Sequence, residues 1–465
     1  MLHPDRLLPI EPEARGLARE LYADVAKLPI LSPHGHTEPR WYAENEAFAD
    51  PVSLFLRPDH YIFRMLFSQG LSLEELGIPD KHGHVKNTDN RLIWRLLAKH
   101  WYLFRATPSR FWFEDTLENV FGISERLSEK TADDLYDRID AALKTPEFRP
   151  RALYERFNIE AISTTDSALD QLAYHDQVRA SGWKGRVLPA YRPDAVIDPD
   201  RPGFVERVAE LVDLAGTTMS WEGYLEAHRI RRDYFIARGA TSTDHGHPSA
   251  RTANFSSGEA AALFERVTSD AVSAADAELF RAQMLTEMAR MSLEDGLVMQ
   301  IHPGSFRNHS PTLFEIYGPD KGADIPAPTD YVRALKPLLD AVGTDPRLTL
   351  ILFTLDETTY ARELAPLAGV YPALRLGPPW WFFDSPEGMR RCREAVIETA
   401  GFYNTVGFND DTRAYLSIPA RHDMARRIDC GYLARLVADH RLDLDEAHEV
   451  AHELAYGLAK RAYKL

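Results

Sequence analysis

From Glu160 to Asp411 short apolar, β-branched runs alternate with longer stretches of helical periodicity, the pattern of βα units wrapped around a parallel sheet. The strand candidates cover 29–32, 161–164, 186–190, 240–243, 297–301, 348–353, 373–376 and 405–408. Between them, apolar stripes with charged outer faces predict helices over 203–215, 221–238, 274–291, 331–342, 385–400 and 421–439. Strands in this number and order predict an α/β fold, a closed TIM-type (β/α)8 barrel. Polar residues follow the strand candidates: His34 and His36, Asp166, Arg192, Asp244, His302, Trp380 and Asp411. Their convergence matters because barrel enzymes build their sites on the face where strands end.

One connection breaks the rhythm. The stretch after the first strand runs to about Arg149, and a connection of that length must fold on its own. Its run LIWRLLAKHWYLF at 92–104 is apolar at helical spacing, which predicts a helical insertion over the barrel mouth. The chain therefore divides into 1–38, an N-terminal helix and the first barrel strand; 39–150, the helical insertion; and 151–465, the rest of the barrel with C-terminal helices. The bland reading of the insertion's aromatics, that they form its core, is the default.

Composition narrows the function classes. At 45% hydrophobic and 27% charged residues the 465-residue chain is globular. A formal net charge of −16 without clustered Lys and Arg argues against a nucleic-acid partner. No run approaches a membrane span, the start MLHPDRLLPIEPEARG has no apolar leader core, and Cys392 and Cys430 form no pair motif; the expectation is a cytoplasmic protein. Neither a dinucleotide fingerprint nor a phosphate loop occurs, so no nucleotide cofactor is expected. Homo-oligomerisation stays open.

The sharpest chemical signal is His34-Gly35-His36 after the first strand. Residues two apart on a strand point to one side, so both imidazoles can meet one divalent cation, and Asp411 after the neighbouring eighth strand can complete the set. His82-Gly83-His84 has no strand before it and reads as a loop. His448-Glu449-Val450-Ala451-His452 is a literal H-E-x-x-H, but thirteen residues remain after it, too few for a zincin's further ligand; a solvated helix face is the better reading. His60 and Tyr61 offer an imidazole and a phenol for proton transfer, weighed against a buried tyrosine with a satisfied hydroxyl. Arg192, Arg307 and Arg413 each follow a strand and together suggest recognition of a carboxylate or phosphate, although singly each reads as an ion pair. In Asp244-His245-Gly246-His247 the aspartate reads as a substrate-binding or supporting group more than a further metal ligand.

These residues lie in segments that together resemble the uronate isomerases of the amidohydrolase superfamily. The segments are SPHGHTEP (32–39), RPDHYIFRML (57–66), STTDSALD (163–170), PAYRPD (189–194), STDHGH (242–247), MQIHPGSFRN (299–308), PWWFFD (379–384) and FNDDTRAYLSIPARHDMARR (408–427). The resemblance implies a distorted barrel and a divalent metal, commonly Zn2+, on His34, His36 and Asp411. It implies active-site positions at His60, Tyr61, Arg192, Asp244, His302, Arg307, Trp380 or Trp381, and Arg413. It further implies conversion of D-glucuronate to D-fructuronate and of D-galacturonate to D-tagaturonate through a cis-enediol. Asp411 would then be the base and Tyr61 the relay between substrate oxygens. Gly377-Pro378-Pro379 before the paired tryptophans and the terminal HEVAH depart from the family pattern. The alternatives are a metal-dependent hydrolase on the same barrel and a sugar-acid binding protein without turnover.

Overall fold

The computed structural model describes residues 2–269 and 272–465. The strands run parallel and in chain order. β1 (Ile30–Ser32) pairs with β2 (Ile159–Ser163), which pairs with β4 (Val187–Leu188). β3 (Asp166–Ser167) pairs with β5 (Tyr191–Arg192), and from β5 the sheet continues through β6 (Ser242–His245), β7 (Val298–Ile301), β10 (Leu350–Leu352) and β11 (Leu374–Leu376). A separate antiparallel pair, β8 (Ser305–Phe306) and β9 (Ile325–Pro326), stands after the fifth barrel position.

The second and third barrel strands are each broken in two. Thr164 N donates to Leu188 O, Ala190 N to Thr164 O and Asp166 N to Ala190 O, so the ladder passes through both breaks and β2–β3 and β4–β5 act as single strands. Thr405 bridges Leu376 in parallel as the eighth position, and His36 N donates to Thr412 O, tying its exit to that of β1. The result is a distorted (β/α)8 barrel. β1, β7 and β10 are buried along their whole length, which is why they read as short, largely apolar runs without alternation; β6 is equally buried, but its residues Ser242-Thr243-Asp244-His245 are polar.

Two expected elements are shorter than their patterns. The run at 405–408 keeps one bridge, because Gly407 takes φ +75° and lies so close to the terminal helix that a Cβ there would meet Leu454 O at 2.7 Å. The helix expected from 331 starts at Lys336. The Tyr331 amide donates instead to the Glu363 carboxylate, and Pro337 favours the first turn over the interior.

The connection between β1 and β2 is helical and irregular throughout. Asp50, Asp59, Asp89 and Thr107 cap successive helices by accepting backbone amides, so the turns are chemically specified even where the apolar pattern is noisy. Trp94, Trp101, Phe104 and Phe113 are buried in one apolar cluster that continues under β1 and β2. These aromatics are core. Trp112 is different, since its ring faces a guanidinium at the barrel mouth.

Candidate active site and metal centre

The strand exits surround a cavity of about 970 Å³. It is lined by His34, His36, His60, Tyr61, Arg192, Asp244, His302, Arg307, Trp380, Trp381, Asp411 and Arg413, but not by the strand-exit residue Asp166. The volume suits a small-molecule site.

At its floor, His34 Nε2 and His36 Nε2 stand 3.3 and 3.2 Å from the same Asp411 oxygen, Oδ1. Gly35 between the histidines is held by Thr165, whose hydroxyl donates to Gly35 O, and this fixes the turn that aims both rings. A second group shares His34: the ligand atoms of His34, Asp244 and His302 also lie within 4.8 Å of one another. His302 Nδ1 is 2.7 Å from Asp244 Oδ1, and its ring stacks between His34 and Phe353 at centroid separations of 4.5 and 4.0 Å.

Whether these residues fit a cation can be tested on their own hydrogen bonds. Asp411 Oδ1, Asp244 Oδ1 and both nitrogens of His302 are buried without an aligned hydrogen bond, although each sits against a polar neighbour. Buried ligand atoms crowded together without an aligned hydrogen bond are what a cation neutralises, and such groups are costly to bury otherwise. The donor set fits a divalent metal. Burial pushes the Asp411 carboxyl up, but His34 and His36 outweigh it and hold the group well below the usual carboxylate range.

The insertion also lines the cavity. Asp59 caps the helix His60–Phe67 and so places His60 and Tyr61 in its first turn. The Tyr61 hydroxyl donates to Asp384 Oδ1 at 2.9 Å and accepts from Phe382 N at 3.1 Å. Arg421 Nη1 donates to the other oxygen of Asp384 at 3.0 Å. Burial, reinforced by the nearby guanidinium of Arg413, pulls the His60 imidazole down to about 3, so it is neutral at physiological pH.

The three arginines differ in how far they are committed. Arg192 pairs with Asp194 at 2.8 Å and Asp244 at 3.3 Å, both buried. Arg307 pairs with buried Asp324 at 2.7 Å. Among the described residues Arg413 pairs with Asp320 alone, at 3.3 Å, and that carboxylate is about half exposed. Among the motif histidines outside the floor, His245 is buried against Thr243, and His448 pairs with Glu20 and Asp24 on the surface. His82 and His84 lie in an exposed loop whose amides are held by Asp80.

A family model for glucuronate isomerase matches residues 13–463. The chain belongs to the glucuronate isomerase family. A uronate isomerase from Brucella canis is 69% identical over 464 residues, covering both chains completely. The crystal structure of glucuronate isomerase from Caulobacter crescentus superposes with a TM-score of 0.98 at 60% identity, covering 100% of this chain and 97% of that one. A uronate isomerase structure from Thermotoga maritima gives 0.92 at 27% identity, with 100% and 99% coverage.

Residues at this site that drew no role from the sequence are Asp384 and Arg421 behind Tyr61, Asp320 before Arg413, and Asp194 and Asp324 behind Arg192 and Arg307. Asp384 closes PWWFFD and Arg421 lies within the 408–427 segment, so both carried a family signal without a chemical one. Asp320 and Asp324 had none.

Proposed function

We propose that the enzyme interconverts D-glucuronate with D-fructuronate, and D-galacturonate with D-tagaturonate, by proton transfer through a cis-enediol. The observation that carries this reading is that Asp411, set against two imidazoles, and Tyr61, from a separate element, line one cavity. Aldose–ketose conversion moves a proton from C2 to C1 and another from O2 to O1, so it needs a base on one side of the carbon chain and an oxygen relay on the other.

His34, His36 and Asp411 would hold a divalent cation, for which zinc is the best match to two imidazoles and a carboxylate with an open position. When bound, it supplies a Lewis-acid contact for substrate oxygens. Asp411, with Oδ1 turned to the imidazoles, uses its other oxygen to take the C2 proton and return it to C1. Tyr61 moves the proton between O2 and O1, and neutral His60 beside it donates to or accepts from the same oxygens. Arg413 takes the distal carboxylate, since its guanidinium has the weakest internal partner. Asp244 and His302 bind substrate hydroxyls or brace the floor, and Trp380 and Trp381 wall the sugar in.

Residues 39–150 act as a subdomain that roofs the mouth and keeps water from the enediol. Support comes from His60 and Tyr61, which belong to that segment yet line the cavity. We place the reaction in the cytoplasm; among the described residues no helix is long and apolar enough to cross a membrane. The test is to incubate the purified enzyme with each uronate in deuterated water and follow the product by NMR. A 2-ketose carrying some solvent deuterium at C1 is expected. Cleavage of a bond, or no ketose from either uronate, would overturn the proposal.

A further inference from the structure

We infer that Asp384 is a positioning residue for the isomerisation, holding the Tyr61 proton on the side away from the cavity so that the phenol and this carboxylate relay protons as a pair. The inference rests on Tyr61 as the relay proposed above.

The phenol has one proton, and in the structure it is directed at Asp384 Oδ1, 2.9 Å away. A second donor, Phe382 N, reaches the phenol oxygen at 3.1 Å. What remains for the cavity is a lone pair, so Tyr61 meets substrate first as an acceptor. The carboxylate is in turn fixed from behind. Arg421 Nη1 donates to Asp384 Oδ2 at 3.0 Å, Arg421 Nε donates to Ser417 Oγ at 3.0 Å, and the guanidinium carbon lies 3.5 Å from the centroid of the Trp112 ring. Asp384 and Arg421 are 9% and 3% exposed. An ion pair this buried costs desolvation that a packed apolar pair would not, and here both members are spent on fixing one carboxylate against the Tyr61 hydroxyl.

The chemistry balances. As O2 loses its proton to the phenol oxygen, the phenol's own proton passes to Asp384 Oδ1; the coupled reverse pair of transfers delivers one proton to O1. Asp384 is a carboxylate before and after, and no electron changes hands. The environment supports such a handover. Burial raises the Asp384 carboxyl, with Arg421 opposing it, while burial and then the Asp384 charge push the Tyr61 phenol far above its ordinary value. A free phenolate is thus not accessible to Tyr61, and a proton arriving from substrate must be matched by one leaving to Asp384.

A purely structural role for the pair makes a different prediction, which a double-mutant cycle exposes. Asp384→Asn should lower kcat by about 100-fold, the scale of one general acid–base contribution, with KM within about threefold. Asp384→Glu should recover part of the loss. In a Tyr61→Phe background the Asn change should cost nothing further, since there is no phenol left to position. If instead it costs its full factor there, the inference fails while Tyr61 keeps its role. If Tyr61→Phe turns over like wild type, the relay itself is wrong. Should the Asn variant not fold, the wild-type enzyme still decides: kcat in mixtures of light and heavy water should curve, two protons being in flight, and a linear dependence would overturn the pair.

Discussion

Replacing Arg413 by Met separates substrate recognition from folding, because the structure assigns this guanidinium so little internal work. Its ion pair with Asp320 spans 3.3 Å between side chains that are 40% and 48% exposed. Exposed pairs contribute about 0–1 kcal/mol, so thermal stability should fall by less than that. A charge-assisted hydrogen bond to a substrate carboxylate is worth about 1.5–3 kcal/mol, and at about 1.4 kcal/mol per factor of ten its loss lowers kcat/KM by roughly 10- to 150-fold. The same change at Arg192 should behave otherwise. It removes the guanidinium shared by Asp194 and Asp244, 3% and 1% exposed, leaving Asp194 with Arg201 at 3.4 Å and Asp244 with His302; breaking a buried ion pair costs up to about 3–5 kcal/mol, a large share of a domain's stability. The assay compares initial rates on a uronate and on its uronamide, together with a melting curve. Arg413→Met should level the two substrates while melting near wild type. Retained discrimination between acid and amide would refute the assignment, as would a melting point as low as that of Arg192→Met.

Asp411→Asn should reduce isomerisation by more than about 100-fold without unfolding the barrel, checked by ketose formation beside circular dichroism; substantial residual turnover would exclude Asp411 as the base. Removing metal with a chelator should abolish activity and lower the melting temperature, and a divalent ion should restore both; a chelated enzyme with unchanged melting would argue that the floor holds no cation. His448→Ala with His452→Ala should leave activity and bound metal unchanged, because His448 is engaged with Glu20 and Asp24 on the surface. Asp166, buried beside Thr164 and His175, is raised by burial to about 7 from 3.8. An acid whose folded value is raised favours the folded state while protonated, so that contribution is lost as pH climbs from about 4 through about 7, and Asp166→Asn should flatten denaturant-measured stability over that window.

The legible part of this protein was the part governed by local pattern. Strands such as Val298–Ile301 and Leu350–Leu352 are buried along their whole length, so their apolar runs stand out, and each exit residue sits one to four positions beyond a strand candidate. His34, His36 and Asp411 follow from that logic once the first and eighth positions are taken as neighbours. The breaks within the second and third strands were not readable, since the bonds that carry the ladder across them join Thr164 to Leu188 and Ala190, more than twenty positions away in the chain. Nor was the loss of the eighth strand, which depends on how closely Leu454 approaches Gly407 across the fold. The pairings behind the site are the extreme case. Tyr61 and Asp384 lie 323 positions apart, and nothing about an aspartate after two phenylalanines announces a phenol as its partner.

Backbone strain ties these hidden partners to the visible site. Asn308, Asp320, Phe382 and Asp411 all take positive φ, at 53°, 59°, 68° and 38°, and all four lie on or beside the cavity wall. Such conformations in residues other than glycine cost about 1–2 kcal/mol and persist only where neighbours hold them. Three have a holder: the Asn308 amide donates to Asp324, the Phe382 amide to Tyr61, and Asp411 stands against the histidine pair; Asp320 has only half-exposed ion pairs, with Arg413 at 3.3 Å and Arg307 at 3.9 Å. The contacts that maintain the strain are therefore those that aim the chemistry. Tyr61→Phe should for that reason do more than slow proton transfer: with the acceptor of the Phe382 amide gone, exchange of that amide with solvent should quicken. Protection unchanged from wild type would mean that the wall keeps its shape without the phenol, and that strain and catalysis are separate features of this barrel.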